Sequence, residues 1–207
     1  IKKIMKPLIK VCGIKELTIL NELANLEKID FLGFIFYENS PRFVSEELIN
    51  RINEIDLKDK RPVCVYVDSD KDLIEETSSI FHNPILQFHG SESNDFCKSF
   101  NKEFWKVIKI KDNNSIKEIT NYPDASAMLF ETYKKGQHGG TGKSFDWSLI
   151  DNIKDLDTKF ILSGGINIKN VDNAIEVNPW CLDINSGVES SPGKKDLNLI
   201  KEFLNKI

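Results

Sequence analysis

Short apolar runs recur along the chain, and each is followed by a stretch with a different rhythm. Residues 8–12, 31–36, 62–67, 85–89, 104–110, 127–131, 160–163 and 180–184 make eight such runs. Their near-continuous apolar character fits strands buried on both faces. Between them, residues 46–55, 71–81, 171–177 and 197–203 place Leu, Ile, Val and Phe at three- and four-residue spacings with polar residues opposite, which is the pattern of a helix with one buried stripe. The alternation predicts a β-α unit repeated eight times. Strands that are apolar on both faces and alternate with helices form parallel sheets, and eight units in 207 residues favour an α/β fold closed as a (β/α)8 TIM barrel over a doubly wound open sheet. That leaves no room for a second domain. Residues 1–207 are read as a single barrel domain, with 1–7 a short extension ahead of the first strand.

Composition narrows the classes of function. A formal net charge of −4 argues against nucleic acid, whose phosphate backbone needs a basic face. No apolar run approaches the roughly 18 residues that a membrane span requires, and no secretory leader is recognisable at the start, so the expected location is cytoplasmic. The four cysteines, at 12, 64, 97 and 181, lack the paired spacing of a zinc site or a disulfide framework and are expected to be reduced. An anionic ligand must be met locally, by a few cations or by backbone N–H groups.

Candidate chemistry gathers at the strand exits, where barrels build their sites. Cys12 ends the first strand and is at once followed by Gly13; it is either a functional thiol or one of the many buried cysteines that act as small hydrophobes. Glu131, His89 and Asp183 lie at or near the ends of the sixth, fourth and eighth strands. Polar groups that interrupt apolar strands are costly unless satisfied, and titratable groups at several exits favour a site. Arg42 follows the second strand, where a guanidinium could grip a carboxylate in bidentate fashion. Leu162-Ser163-Gly164-Gly165 after the seventh strand and Asn185-Ser186-Gly187-Val188-Glu189 after the eighth resemble a phosphate cup, in which Gly164, Gly165, Ser186 and Gly187 let oxygens approach backbone N–H groups. Residues 139–144 end like a P-loop but lack its first glycine, since Gln137 stands there. A glycine-rich loop that closes over a substrate, or a simple flexible connection, fits that segment better.

Six blocks then point to a family. Lys10-Val11-Cys12-Gly13-Ile14, Ser40-Pro41-Arg42, Gln87-Phe88-His89-Gly90, the segment from Gly139 to Trp147, Ser163-Gly164-Gly165 and Ser186-Gly187-Val188-Glu189 together resemble the phosphoribosylanthranilate isomerases, in the family's order from about residue 8 onward. The resemblance implies an enzyme of tryptophan biosynthesis that needs no cofactor or metal. Its small-molecule substrate would be N-(5-phosphoribosyl)anthranilate, rearranged to 1-(2-carboxyphenylamino)-1-deoxyribulose 5-phosphate by a monomer or homodimer. It makes Cys12 the general base and Glu131 the general acid, with Arg42 on the anthranilate carboxylate and His89 and Asp183 orienting the substrate. The family's usual acid is aspartate, so Glu131 is a departure that moves the carboxyl by about a bond length. Asn185 and Phe88 replace a common serine and leucine, beside the expected phosphate and anthranilate regions. Rival readings are another phosphate-binding barrel enzyme, such as indole-glycerol-phosphate synthase with Lys109 as its lysine, or the sugar isomerase of histidine synthesis. A third is a barrel that binds a phosphorylated metabolite without catalysis.

Overall fold

The computed structural model describes residues 6–112, 114–132, 147 and 158–207. Eight parallel strands close into a barrel in chain order, with the first paired to the eighth. They are β1 (Leu8–Cys12), β2 (Phe31–Ile35), β3 (Arg61–Tyr66), β4 (Ile85–Phe88), β5 (Phe104–Ile110), β6 (Ala127–Thr132), β7 (Phe160–Leu162) and β8 (Cys181–Ile184). Each lies within a residue or two of a predicted apolar run. Closure leaves the barrel itself without an open edge, and every strand from β1 to β8 is buried along nearly its whole described length.

The helices that wrap the barrel start where side chains satisfy their first N–H groups. The Ser45 hydroxyl accepts from the Leu48 amide ahead of α2 (Glu46–Arg51), and Asp70 accepts from Leu73 ahead of α3 (Lys71–Ser79). Ser93 does the same for α4 (Asn94–Lys98), and Asp196 for α6 (Leu197–Lys206). These are standard N-cap contacts. The first and fifth helices, α1 (Leu17–Ala24) and α5 (Val171–Glu176), have no such side-chain cap. Each helix turns its apolar stripe inward; in α6 that stripe is Ile200, Phe203 and Leu204.

The prediction of a helix after every strand fails after β5, where Ser115–Asn121 forms a 3-10 helix. The Asp112 carboxylate accepts from the amides of Asn114 and Ser115, a local turn that competes with a regular α-helical start. The helix predicted over 46–55 is also shorter, giving way to a 3-10 turn over Ile52–Glu54.

Two apolar clusters make up the core. One lies between strands and helices; the other fills the barrel with Val63, Ile85, Val107, Leu129, Ile161 and their neighbours. At the N-terminal end of the barrel, Phe31, Trp105 and Trp180 meet at ring-centroid distances of 5.0, 5.7 and 5.9 Å, which plugs that end. The opposite end is where polar residues enter. Among the described residues no helix is long and apolar enough to cross a membrane.

Candidate active site

Side chains alternate across a strand with a period of two, so residues two apart share a face. That rule sets Lys10 with Cys12, Gln87 with His89, Leu129 with Glu131 and Asp183 with Asn185 on the inward side of their strands and strand exits. At the C-terminal mouth these elements border a cleft that opens to solvent, with about 670 Å3 of empty space when its opening is included. Cys12, Arg42, His89, Glu131, Asp183, Gly164, Gly165 and Ser186 all line it. Gly187 is the one candidate that does not line the cleft, and it acts on the backbone behind it.

The cup after β7 and β8 depends on missing side chains. Gly164 and Gly165 have φ of +92° and +71°, the left-handed region that favours glycine. A Cβ on Gly187 would lie 1.9 Å from the carbonyl oxygen of Ile166, so the 3-10 turn Ser186–Val188 can pack against the loop after β7 only through bare backbone. The Asn167 and Asn170 side-chain amides donate to the Gly165 carbonyl at 2.9 and 3.0 Å and hold that loop in place.

On one wall, His89 Nε2 lies 2.7 Å from Glu131 Oε2, and both side chains are mostly buried. On the other, Arg42 already grips a carboxylate in bidentate fashion, but it is the protein's own. Nε and Nη2 donate to the two oxygens of Glu189 at 2.8 and 2.7 Å. Lys195, from the short hairpin Glu189–Ser191 and Lys194–Lys195, also binds Glu189 at 2.5 Å and donates to Asn185 Oδ1 at 2.7 Å. Burial would raise the Glu189 pKa, but Arg42 and Lys195 outweigh it and hold the carboxyl below the usual range. Burial pulls Lys195 the other way, lowering its pKa. Two cations share one carboxylate here, leaving a net positive charge beside the cup.

Cys12 forms the floor of the cleft and is nearly sealed from solvent. Burial pushes its thiol above the ordinary value, partly offset by the neighbouring Lys10 ammonium, while Asp183 pushes it further up and Lys195 pulls it down. The thiol is therefore the resting form, and the surroundings do not by themselves favour the thiolate. All four cysteines are free and buried; burial takes Cys64 up to about 12.

Two expectations change, and one lies outside what the structure describes. Phe88 does not border the cleft: it faces the helix layer, packing on Phe96, Phe100 and Phe104 at centroid distances of 5.9–6.1 Å. Lys109, the strand neighbour of Glu131, does not line the cleft. The glycine-rich segment 136–144 lies outside the described residues. Sequence reasoning also missed Lys10, Gln87, Glu189 and Lys195 as members of the site. For Lys10 a signal was present, since a lysine two residues before Cys12 shares its inward face. Among the described residues no group of three or more His, Cys, Asp or Glu is arranged to hold a metal.

Comparisons with known proteins agree with one another. A family model described as N-(5'phosphoribosyl)anthranilate (PRA) isomerase matches residues 9–206. The N-(5'-phosphoribosyl)anthranilate isomerase of Hahella chejuensis is 38% identical over 200 residues, covering 96% of this chain and 92% of the relative. Among solved structures, phosphoribosyl anthranilate isomerase from Thermotoga maritima superposes with a TM-score of 0.83 at 31% identity, covering 97% of this chain and 98% of that one. A phosphoribosyl anthranilate isomerase in complex with reduced 1-(o-carboxyphenylamino)-1-deoxyribulose 5-phosphate gives a TM-score of 0.81 at 30% identity, covering 97% of each chain. The agreement extends from β1 into α6 and takes in both the barrel and its mouth, so the chain belongs to the N-(5'-phosphoribosyl)anthranilate isomerase family.

Proposed function

We propose that this chain rearranges N-(5-phosphoribosyl)anthranilate into 1-(2-carboxyphenylamino)-1-deoxyribulose 5-phosphate, with Cys12 as general base and Glu131 as general acid. Family membership makes it an isomerase of tryptophan biosynthesis. The observation that best supports the residue roles is the shared cleft, in which a thiol from β1 and a carboxyl from β6 stand beside a glycine-built anion cup.

The chemistry needs one proton given and one taken. Glu131, protonated, gives its proton to the furanose ring oxygen, and the C1′–O bond breaks to leave an iminium at C1′. Cys12, as thiolate, takes the proton from C2′, and the C–H electron pair forms the C1′–C2′ double bond of an enolamine. As that double bond forms, the C1′=N π pair returns to nitrogen; in the tautomerisation the Cys12 thiol gives its proton to C1′ and the C2′ hydroxyl gives its proton to the Glu131 carboxylate, so the C2′ ketone forms with base and acid restored. General acid and base groups each contribute about 10²–10⁴ in rate when held within hydrogen-bond reach. His89, 2.7 Å from Glu131, fixes the carboxyl. Gly164, Gly165, Ser186 and Gly187 receive the phosphate, with the surplus positive charge of Arg42 and Lys195 close by. Arg42 gives Glu189 its Nε–H and one Nη2–H, which leaves Nη1 and the second Nη2–H, the end-on edge of the guanidinium, for the anthranilate carboxylate.

Loss of anthranilate fluorescence on adding the purified chain to phosphoribosylanthranilate tests the reading. Saturable turnover with stoichiometric product is expected. Tight binding with no turnover would instead support a barrel that keeps the ligand and has lost the chemistry.

A further inference from the structure

Lys10 is the strangest residue inside the barrel. Its side chain is fully buried, on the inward face of β1, one strand-period below Cys12 and among apolar interior residues. Its ammonium lies 3.0 Å from Asp183 Oδ1 and donates to Gln87 Oε1 at 2.9 Å. Those partners come from β8 and β4, so three strands contribute to one polar knot beneath the cleft. A buried ion pair is weak evidence for stability, because an apolar replacement of similar volume is commonly as stable or more so. Its position beneath Cys12 calls for another reason.

The backbone of β2 is shaped to bring the thiol and the ammonium together. Gly33 is the strand neighbour of Cys12. A Cβ there would lie 2.8 Å from Cys12 Sγ and 3.1 Å from Lys10 Cε, so both side chains occupy the space that the missing methyl leaves. The charged groups acting on the thiol are Lys10 from β1, Asp183 from β8 and Lys195 from the hairpin. Arg42, His89 and Glu131 line the same cleft. Lys195 is already committed to Glu189 and Asn185, whereas Lys10 shares its charge between Asp183 and the space occupied by Sγ.

We propose that Lys10 is a positioning residue of the reaction, the counter-cation that carries the negative charge of Cys12 when the thiol acts as base. In the resting site Lys10 and Asp183 neutralise each other and the thiol keeps its proton. When that proton leaves to water in the cleft, the ammonium is the fixed positive charge beside the new thiolate, and Gln87 keeps it from moving away. Lys10 touches no substrate, and Asp183 sets how much of its charge the sulfur receives. The inference rests on Cys12 being the base.

Alkylation of Cys12 by iodoacetamide, followed by mass spectrometry of its peptide across a range of pH and without substrate, tests the proposal. Lys10→Met is expected to slow alkylation of Cys12 roughly tenfold near neutral pH and to move its pH profile upward by about one unit. Asp183→Asn is expected to shift the profile the opposite way, and Lys10→Arg to restore it to within about threefold of the parent. Should Lys10→Met fail to fold, the Lys10→Met/Asp183→Asn double variant leaves no unpaired buried charge and must still alkylate more slowly than Asp183→Asn alone. An unchanged Cys12 profile in Lys10→Met, or in the double variant relative to Asp183→Asn, overturns the proposal. Alkylation needs no turnover, so this failure is distinct from failure of the isomerase reading, which the fluorescence assay detects.

Discussion

At the scale of single residues, Glu131 defines the site more sharply than Cys12 does. A carboxyl one methylene longer than the family's usual aspartate reaches His89 at 2.7 Å, and an aspartate on the same β6 backbone would fall short of that contact. Glu131→Asp is therefore expected to lower kcat by about 10–100-fold, in line with the cost of a misplacement of about 1 Å, while KM stays within about threefold. Steady-state kinetics check this, and a rise in kcat would mean that the longer side chain is a compromise that His89 does not compensate. Arg42 teaches a related lesson. Its position after β2 suggested a carboxylate grip, and the grip exists, but its partner is Glu189, 147 positions along the chain. Nothing in the local sequence of either residue announces that pairing; it follows from the closure that brings β8 next to β1.

Among the elements, the cup and the loop after β4 bear most of the geometric burden. Gly187→Ala would set a Cβ 1.9 Å from the Ile166 carbonyl oxygen, so the Ser186–Val188 turn must move away from the loop after β7. Inhibition by inorganic phosphate should weaken at least about tenfold, by the loss of one or more backbone hydrogen bonds to an anion; unchanged inhibition would remove this turn from the phosphate site. The loop carrying His89 is fixed from outside the barrel. Lys106 on β5 and Glu92 form a buried pair at 2.8 Å, Glu92 accepts from the Asp68 amide at 2.8 Å, and Lys106 donates to the Gly90 carbonyl at 2.7 Å. Removing one member of such a pair strands the other charge, so Glu92→Gln is expected to cost about 3–5 kcal/mol, measurable as a lower urea midpoint. A cost below about 1 kcal/mol would show that the pair is solvated in the folded state.

Over the whole molecule, the barrel was legible because parallel strands buried on both faces read as unbroken apolar runs, and β1 and β5 match their predicted runs residue for residue. The same unbroken character hid which face each side chain takes. Phe88 was placed beside the ligand, yet it packs among Phe96, Phe100 and Phe104 on the outside of the sheet. Strand exits were legible as a site because the polar residues Cys12, His89, Glu131 and Asp183 interrupt or end apolar runs. The charges that support them were not, since Lys10 meets Gln87 across 77 positions and only barrel closure brings them together. The most direct test of the proposed reaction and its residues compares kcat for phosphoribosylanthranilate in the parent chain, Cys12→Ala and Glu131→Ala. Each variant, folded as judged by circular dichroism, is expected to lose about 10²–10⁴ in kcat; near-parental turnover in either would contradict its assignment as base or acid.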